Sequence, residues 1–279
     1  MIDKKNNKEH MVQSKVPKFL VVTALISFLL YSVLNAESKR VSTFKNEFVQ
    51  EVTDISEGFN TEAKRDIDEL LAKEQDYLTH YGIDISHYQG NIVEELKHQD
   101  KLDFIICKAT QGIKYTDPDF DKNWAGIRQQ GFIRGAYHFY NSSENAMDQA
   151  KHFTAVLAKW DKKDIAPILD IEQASLNSKI SVQDLQKDLL VFLQQLEKSF
   201  KKRPVIYTDS AFAKAYLNND KFARYPLWLA DYTKNKQPEI PEVWKQQGFK
   251  IWQKSSTYQL DSKVVDFDIY NGLLSGLIE

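Results

Sequence analysis

The sequence predicts an α/β fold closed into one barrel, and three observations carry that prediction. Short β-rich apolar runs recur from residue 80 onward, with helical patterns between them. Most of the runs are nearly continuous in hydrophobicity, as strands covered on both faces are. Eight such runs within about 200 residues are enough to close a parallel sheet on itself, with the later connections shortened.

The expected strands are 81–86 (YGIDIS), 104–110 (FIICKAT), 133–140 (IRGAYHFY), 165–172 (IAPILDIE), 204–208 (PVIYT), 227–231 (LWLAD), 250–253 (KIWQ) and 264–267 (VVDF). Helical spacing of apolar residues marks 92–99, 120–130, 144–160, 182–200 and 210–218. No internal repeat and no low-complexity linker follows residue 80, so residues 80–279 read as one catalytic-sized domain.

Upstream, the chain changes character. Residues 1–18 are polar and lysine-rich, and an uncharged apolar run then fills residues 19–35. At 1.5 Å per residue its core is about 24 Å long, a little short of a hydrocarbon layer, and Lys18 can snorkel to close the gap. The expectation is a transmembrane signal anchor at 19–35, with residues 1–18 cytoplasmic and the remainder across the membrane, periplasmic or extracellular. A cleaved signal peptide is the competing reading, weakened by Leu34 where a small residue is wanted. Residues 36–79 are acidic. Val41, Phe44, Phe48, Val52, Ile55 and Phe59 recur at spacings of three and four, so a helical stalk is expected there.

Composition narrows the function. Of 279 residues, 37 are Lys or Arg and 39 are Asp or Glu, a formal net charge of −2, which argues against a nucleic-acid binder. The single Cys107 excludes an intramolecular disulfide and a cysteine zinc site, and within FIICKAT it reads as a core residue. The six histidines are scattered, with no HExxH; no phosphate-cradling glycine motif and no GxSxG elbow is present. No metal or cofactor is expected.

What remains is carboxylates. Asp84, Asp170 with Glu172, Asp231 and Asp266 each close an apolar run. In a parallel barrel the carboxyl ends of the strands share one face, so these distant acids are expected to converge there. Asp170 and Glu172 are two apart on a strand and point to one side, with Ile171 facing the helices. Two carboxyls held close in a partly dry site cannot both ionise easily, so one becomes a usable general acid. The plainer readings are a helix cap or a lysine partner for the Asp-x-Glu pair, and a buried, hydrogen-bonded acid for Asp84. Asp268 shares the alternation of Asp266 and competes with it for the inward position. Tyr88, Tyr137, Tyr207, Trp228, Tyr232 and Trp252 fall near strand ends. They suit the apolar face of a sugar, although core packing is the commoner fate of any one aromatic.

The segments GIDISHYQG (82–90), FIICKATQG (104–112), RGAYHFY (134–140), PILDIE (167–172), RPVIYT (203–208), PLWLADY (226–232), IWQ (251–253) and VDFDIYNG (265–272), taken together and in this order, resemble glycoside hydrolase family 25. These are the Chalaropsis-type lysozymes, N-acetylmuramidases that cut peptidoglycan glycan strands. The resemblance implies an irregular TIM-like (β/α)5(β)3 barrel and hydrolysis with net retention. It implies Glu172 as general acid and Asp170 as orienting group for a substrate acetamido group, if the mechanism is substrate-assisted. It places Asp84 and Asp266 in the acidic cluster, favouring Asp266 over Asp268. Tyr137, Tyr207, Trp228 and Trp252, with Gln89 and Tyr232, would line the sugar subsites. Asp268 departs from a common Asn, and no wall-binding repeats follow the barrel. A chitinase-like hydrolase is disfavoured because Ala166, Pro167 and Ile168 stand where a longer acidic series would begin. A silent glycan-binding module is disfavoured because neither Asp84 nor Glu172 is lost.

Overall fold

The computed structural model describes residues 78–96, 101–176, 179–260 and 262–279. The chain divides after Lys73, and all of these residues belong to the unit Glu74–Glu279. The expected cytoplasmic tail, the anchor at 19–35 and the stalk, apart from residues 78 and 79, lie outside the described residues. Among the described residues no helix is long and apolar enough to cross a membrane.

Nine strands form one sheet. They are β1 (Thr79–Ile85), β2 (Phe104–Gln111), β3 (Tyr115–Thr116), β4 (Ile133–Phe139), β5 (Ile168–Asp170), β6 (Val205–Asp209), β7 (Leu227–Ala230), β8 (Ile251–Leu260) and β9 (Lys263–Asn271). β1 pairs with both β2 and β9, which closes eight strands into a barrel; β3 is a two-residue antiparallel appendage on β2. Pairing is parallel from β1 through β2, β4, β5, β6 and β7 to β8. β9 runs antiparallel to both β8 and β1. The all-parallel expectation is corrected there: a short hairpin joins β8 to β9, and a connection that short reverses the chain.

Helices α1 (Ile92–Glu95), α2 (Phe120–Gln129), α3 (Ala146–Val156), α4 (Val182–Phe200) and α5 (Ser210–Tyr216) follow β1, β3, β4, β5 and β6, and α6 (Leu274–Leu277) ends the chain. The sequence expectation for α3, 144–160, is too long. Asn145 Oδ1 accepts the Asp148 N–H (3.1 Å) and starts the helix there. The strand expected at 165–172 shrinks to three residues because Glu172 already turns the chain into the 3-10 segment Gln173–Ser175.

Two apolar layers hold the barrel. Inside, Phe104, Ile106, Ile168, Val205, Trp228 and Ile251 fill the lower barrel. Outside, Ile105, Cys107, Leu169, Ile171 and Ile206 pack against Trp124, Phe153, Leu189 and Phe192 of the helices. Alternation along β5 assigns the faces: Ile168 in, Leu169 out, Asp170 in, Ile171 out. α4 buries Leu185, Leu189, Phe192, Leu193 and Leu196, a stripe at helical spacing. Each such side chain contributes about 1.5–3 kcal/mol when fully buried. At the start of β4, Arg134 donates from Nε to Asp164 Oδ1 (2.8 Å) and from Nη1 to the Trp124 carbonyl (2.9 Å). That guanidinium ties β4 to α2 and to the loop after α3. Cys107 is fully buried, its Sγ 3.6 Å from the Gly135 carbonyl, and burial pushes the thiol up.

Candidate active site

The carboxyl ends of β1, β2, β4, β5, β6 and β7 open on one rim, and the acids gather beneath it. Asp170 is the last residue of β5 and faces inward; it is buried, and its Oδ1 receives no donor. Glu172 is half-buried at the rim, where its backbone N–H donates to Ser175 Oγ (3.2 Å). Burial raises the Asp170 carboxyl well above the usual carboxylate range, and the Glu172 charge adds to this. Burial also raises Glu172, with Asp209 adding. The Lys108 ammonium opposes both shifts.

Across the barrel, β1 and β9 bring Asp84 opposite Asp266. Burial raises Asp84, and the charges of Asp268 and Asp266 raise it further. Asp266 is pushed up to about 6, chiefly by burial, with Glu172 adding. The structure thus brings together four of the five acids expected to converge: Asp84, Asp170, Glu172 and Asp266. Asp231 does not join them. Its Oδ1 accepts the Thr233 N–H (3.0 Å) and its Oδ2 the Glu239 N–H (2.7 Å), which ties down the loop after β7.

The aromatics divide. Tyr137 and Tyr207 reach the acids, and both hydroxyls are held well above their usual range by burial, with Asp84 and Asp170 adding. Tyr232 is 54% exposed and its hydroxyl donates to Gln253 Oε1 (2.7 Å), so one end is anchored and a face is open. Trp228 and Trp252 are corrections. Trp228 is 2% exposed in the inner apolar layer and donates from Nε1 to Asp268 Oδ1 (2.8 Å). Trp252 alternates with inward Ile251 and Gln253, is buried, and donates to the Asp231 carbonyl (2.7 Å). Neither ring presents a face to a sugar. Gln89 is a capping residue: its Oε1 accepts the Ser86 N–H (2.9 Å) and fixes the 3-10 turn His87–Gln89.

Three residues that sequence reasoning passed over, Gln253, Lys108 and Asp209, complete the site together with Asp268, which it ranked below Asp266. Gln253 is buried and joins both sides of it: Oε1 accepts from Tyr207 (2.8 Å) and Tyr232, and Nε2 donates to Asp84 Oδ2 (2.7 Å). Lys108 on β2 donates to Gln111 Oε1 (2.8 Å) and lies over the Phe139 ring (4.9 Å). Asp209 caps α5 by accepting the Phe212 N–H (2.8 Å) and acts on Glu172 through space. Asp268 is fully buried beside Asp84. The IWQ and FIICKAT segments were legible as strands, but a strand amide or lysine carries no mark of its partner. A hollow of about 540 Å3 opens on the rim, lined by His87, Tyr88, Lys108, Tyr115 and Glu144 among others; Tyr88, 82% exposed, stands at its edge. Among the described residues no set of three His, Cys, Asp or Glu side chains is arranged to hold a metal ion.

This arrangement can store protons on carboxyls at one end of a cleft and present aromatic and amide groups beside them. Comparison with known proteins agrees. The sequence profile of the glycosyl hydrolases family 25 matches residues 83–263. YegX, an uncharacterized protein of Escherichia coli K12, is 33% identical over 206 residues, covering 71% of this chain and 72% of its own. An N,O-diacetylmuramidase of Chalaropsis sp is 30% identical over 188 residues, covering 63% of this chain and 88% of its own. The solved muramidase structure from Trichobolus zukalii superposes with a TM-score of 0.62 at 32% identity, covering 71% of this chain and 97% of that one. The profile match spans well over half the chain, and the chain belongs to glycosyl hydrolase family 25.

Proposed function

We propose that the protein is a peptidoglycan hydrolase that cleaves β-1,4 bonds between N-acetylmuramic acid and N-acetylglucosamine with net retention. The observation that carries this reading is Glu172 at the rim above Asp170, with Asp84 and Asp266 closing the other side. Burial and Asp209 oppose ionisation of Glu172, and unlike the buried Asp170 it is open enough to reach a glycosidic oxygen. It donates its proton to the leaving sugar and, ionised, then takes one from the incoming water.

Asp170 Oδ1 lacks a donor in the free protein. An acetamido N–H of the substrate satisfies it and turns the acetyl oxygen toward the anomeric carbon, so the substrate supplies the nucleophile. Tyr232 and Tyr88 offer open rings to the sugar faces. The apolar run at 19–35 supports a membrane-anchored enzyme working outside the cytoplasm on nearby wall.

The test is incubation of the purified protein with purified peptidoglycan, with new reducing ends identified by mass spectrometry. Muramic acid at the new ends is the expected result. Glucosamine ends, or no products, overturn the proposal.

A further inference from the structure

We propose that the hollow at the carboxyl ends of β1, β2 and β4 binds a carboxylate of the peptide arm carried by muramic acid, with Lys114 at its mouth and Lys108 behind. The inference deepens the hydrolase reading and rests on it for the identity of the ligand. The hollow measures about 540 Å3, the size of a site for a small organic group. It adjoins the acids. The Lys108 ammonium lies 4.9 Å from the centre of the Phe139 ring, and Phe139 pairs with Asp170 across β4 and β5. The charges of the lining are uneven. Lys108 donates to Gln111 Oε1 (2.8 Å), a neutral amide, and forms no ion pair among the described residues. Lys114 is exposed and is likewise unpaired among them. The one acid of the lining, Glu144, is turned onto the backbone, where its Oε2 accepts the Ile113 N–H (2.6 Å). Two ammoniums therefore line the hollow, and no carboxylate pairs with either.

The walls are braced before a ligand arrives. Asp117 is buried; its Oδ2 accepts the His87 Nδ1–H (2.8 Å) and the His87 backbone N–H (3.2 Å), and its Oδ1 accepts the Asp119 N–H (3.0 Å). The imidazole is thus fixed through Nδ1, and Nε2 is the ring atom left for a ligand. The Tyr88 ring rests on it, 4.0 Å between centroids. The turn that carries Lys114 is pinned as well. The Gly112 N–H donates to the Phe139 carbonyl (3.2 Å), Glu144 holds Ile113, and the Tyr115 carbonyl accepts from His152 Nε2 (3.1 Å). Gly112 has φ +56°, and a Cβ there would sit 2.3 Å from Glu144 Oε2, so glycine keeps the turn in this shape. Groups held in place beforehand bind at a lower ordering cost. The peptide arm matches them: its amides meet the imidazole, its carboxylate meets the ammoniums, and its apolar carbons lie on the tyrosine rings. The lactyl group alone would fill little of the hollow, whereas the second residue of the arm brings a carboxylate of its own.

Two soluble probes separate charge from shape: N-acetylmuramoyl-L-alanyl-D-glutamate and the matching D-isoglutamine compound, which differs by one carboxylate replaced with an amide. Each is titrated into the full-length protein carrying isotope-labelled histidine and followed by NMR. The glutamate probe is expected to bind about three- to tenfold more tightly, the worth of a charge-assisted contact at a partly exposed site. Lys114→Glu is expected to erase that preference and Lys114→Arg to keep it, and the His87 ring resonance is expected to move on binding. Equal affinities, a preference that survives Lys114→Glu, or an unmoved His87 resonance overturns the proposal. Kinetics keep the site and the hydrolase reading apart. Peptidoglycan with free arm carboxylates is expected to exceed its amidated form in kcat/KM by a similar factor, through KM, and Lys114→Glu is expected to level the two. Turnover that ignores amidation overturns the site and leaves the hydrolase standing. An absence of turnover on both counts against the hydrolase, and the titration still decides the site.

Discussion

Glu172 is set by burial and by two charged neighbours whose influence can be separated one at a time. Replacing it with Gln keeps shape and polarity but removes the transferable proton, so Glu172→Gln is expected to fold normally and lose about 10²- to 10⁴-fold in kcat. Turnover near the wild-type rate would remove Glu172 from the acid role. Asp209 pushes the Glu172 value up and Lys108 pulls it down. The acid works only while protonated, so the rate falls as pH rises through its value. Asp209→Asn retains the α5 cap through its amide oxygen and removes a negative neighbour, so the alkaline limb of the pH–rate profile moves to lower pH. Lys108→Met removes a positive neighbour, so the limb moves the other way. Each shift is expected to be about half a pH unit across a partly solvated site. Shifts of the same sign would contradict the charge assignment.

Among the elements, most strands and helices were legible from sequence to within a few residues, because a strand covered on both faces writes an unbroken apolar run; β8, expected at 250–253, runs on to Leu260, a stretch missed because it is polar and largely exposed. The direction of β9 was not, since alternation reads the same from either end. Trp228 and Trp252 were misjudged because a sugar-stacking ring and a core ring look alike until the packing is known. Gln253 was missed, and Asp268 was ranked below Asp266, because their importance lies in partners on β1, β6 and β7. Tight packing inside the barrel yields a prediction at this scale. A Cβ on Gly82 would sit 2.2 Å from the buried Phe104 ring. Gly82→Ala is therefore expected to destabilise by about 1–3 kcal/mol through overpacking, read from urea unfolding at constant slope. An unchanged midpoint would mean that Phe104 has room to move.

Across the whole molecule, proton binding and folding are linked. Asp84, Asp170, Asp266 and Asp268 all have folded-state values above the roughly 3.9 of an unfolded Asp. Above that pH the folded state binds protons that the unfolded chain has released, so stability falls as pH rises from about 4 through the Asp266 value of about 6 and beyond. His138 acts with the opposite sign. It is fully buried, hydrogen-bonded to Thr110 and Gln149, and lowered to about 3, so its contribution is lost as pH falls from about 6.5 toward 3. Four acids outweigh one imidazole, and Tm is expected to be higher at pH 5 than at pH 7 in calorimetry at fixed ionic strength. A Tm that rises with pH over this interval would show that the acids are better solvated than their burial implies.

The seam between the first and last strands has a consequence in time. Asp84 and Asp266 face each other across β1 and β9, which close the cylinder from opposite ends of the domain. Pairing so distant in the chain forms late. A polypeptide still emerging from the ribosome or a translocation channel therefore lacks Asp266, however well its helices have formed. The acid cluster is complete only once that final strand has docked.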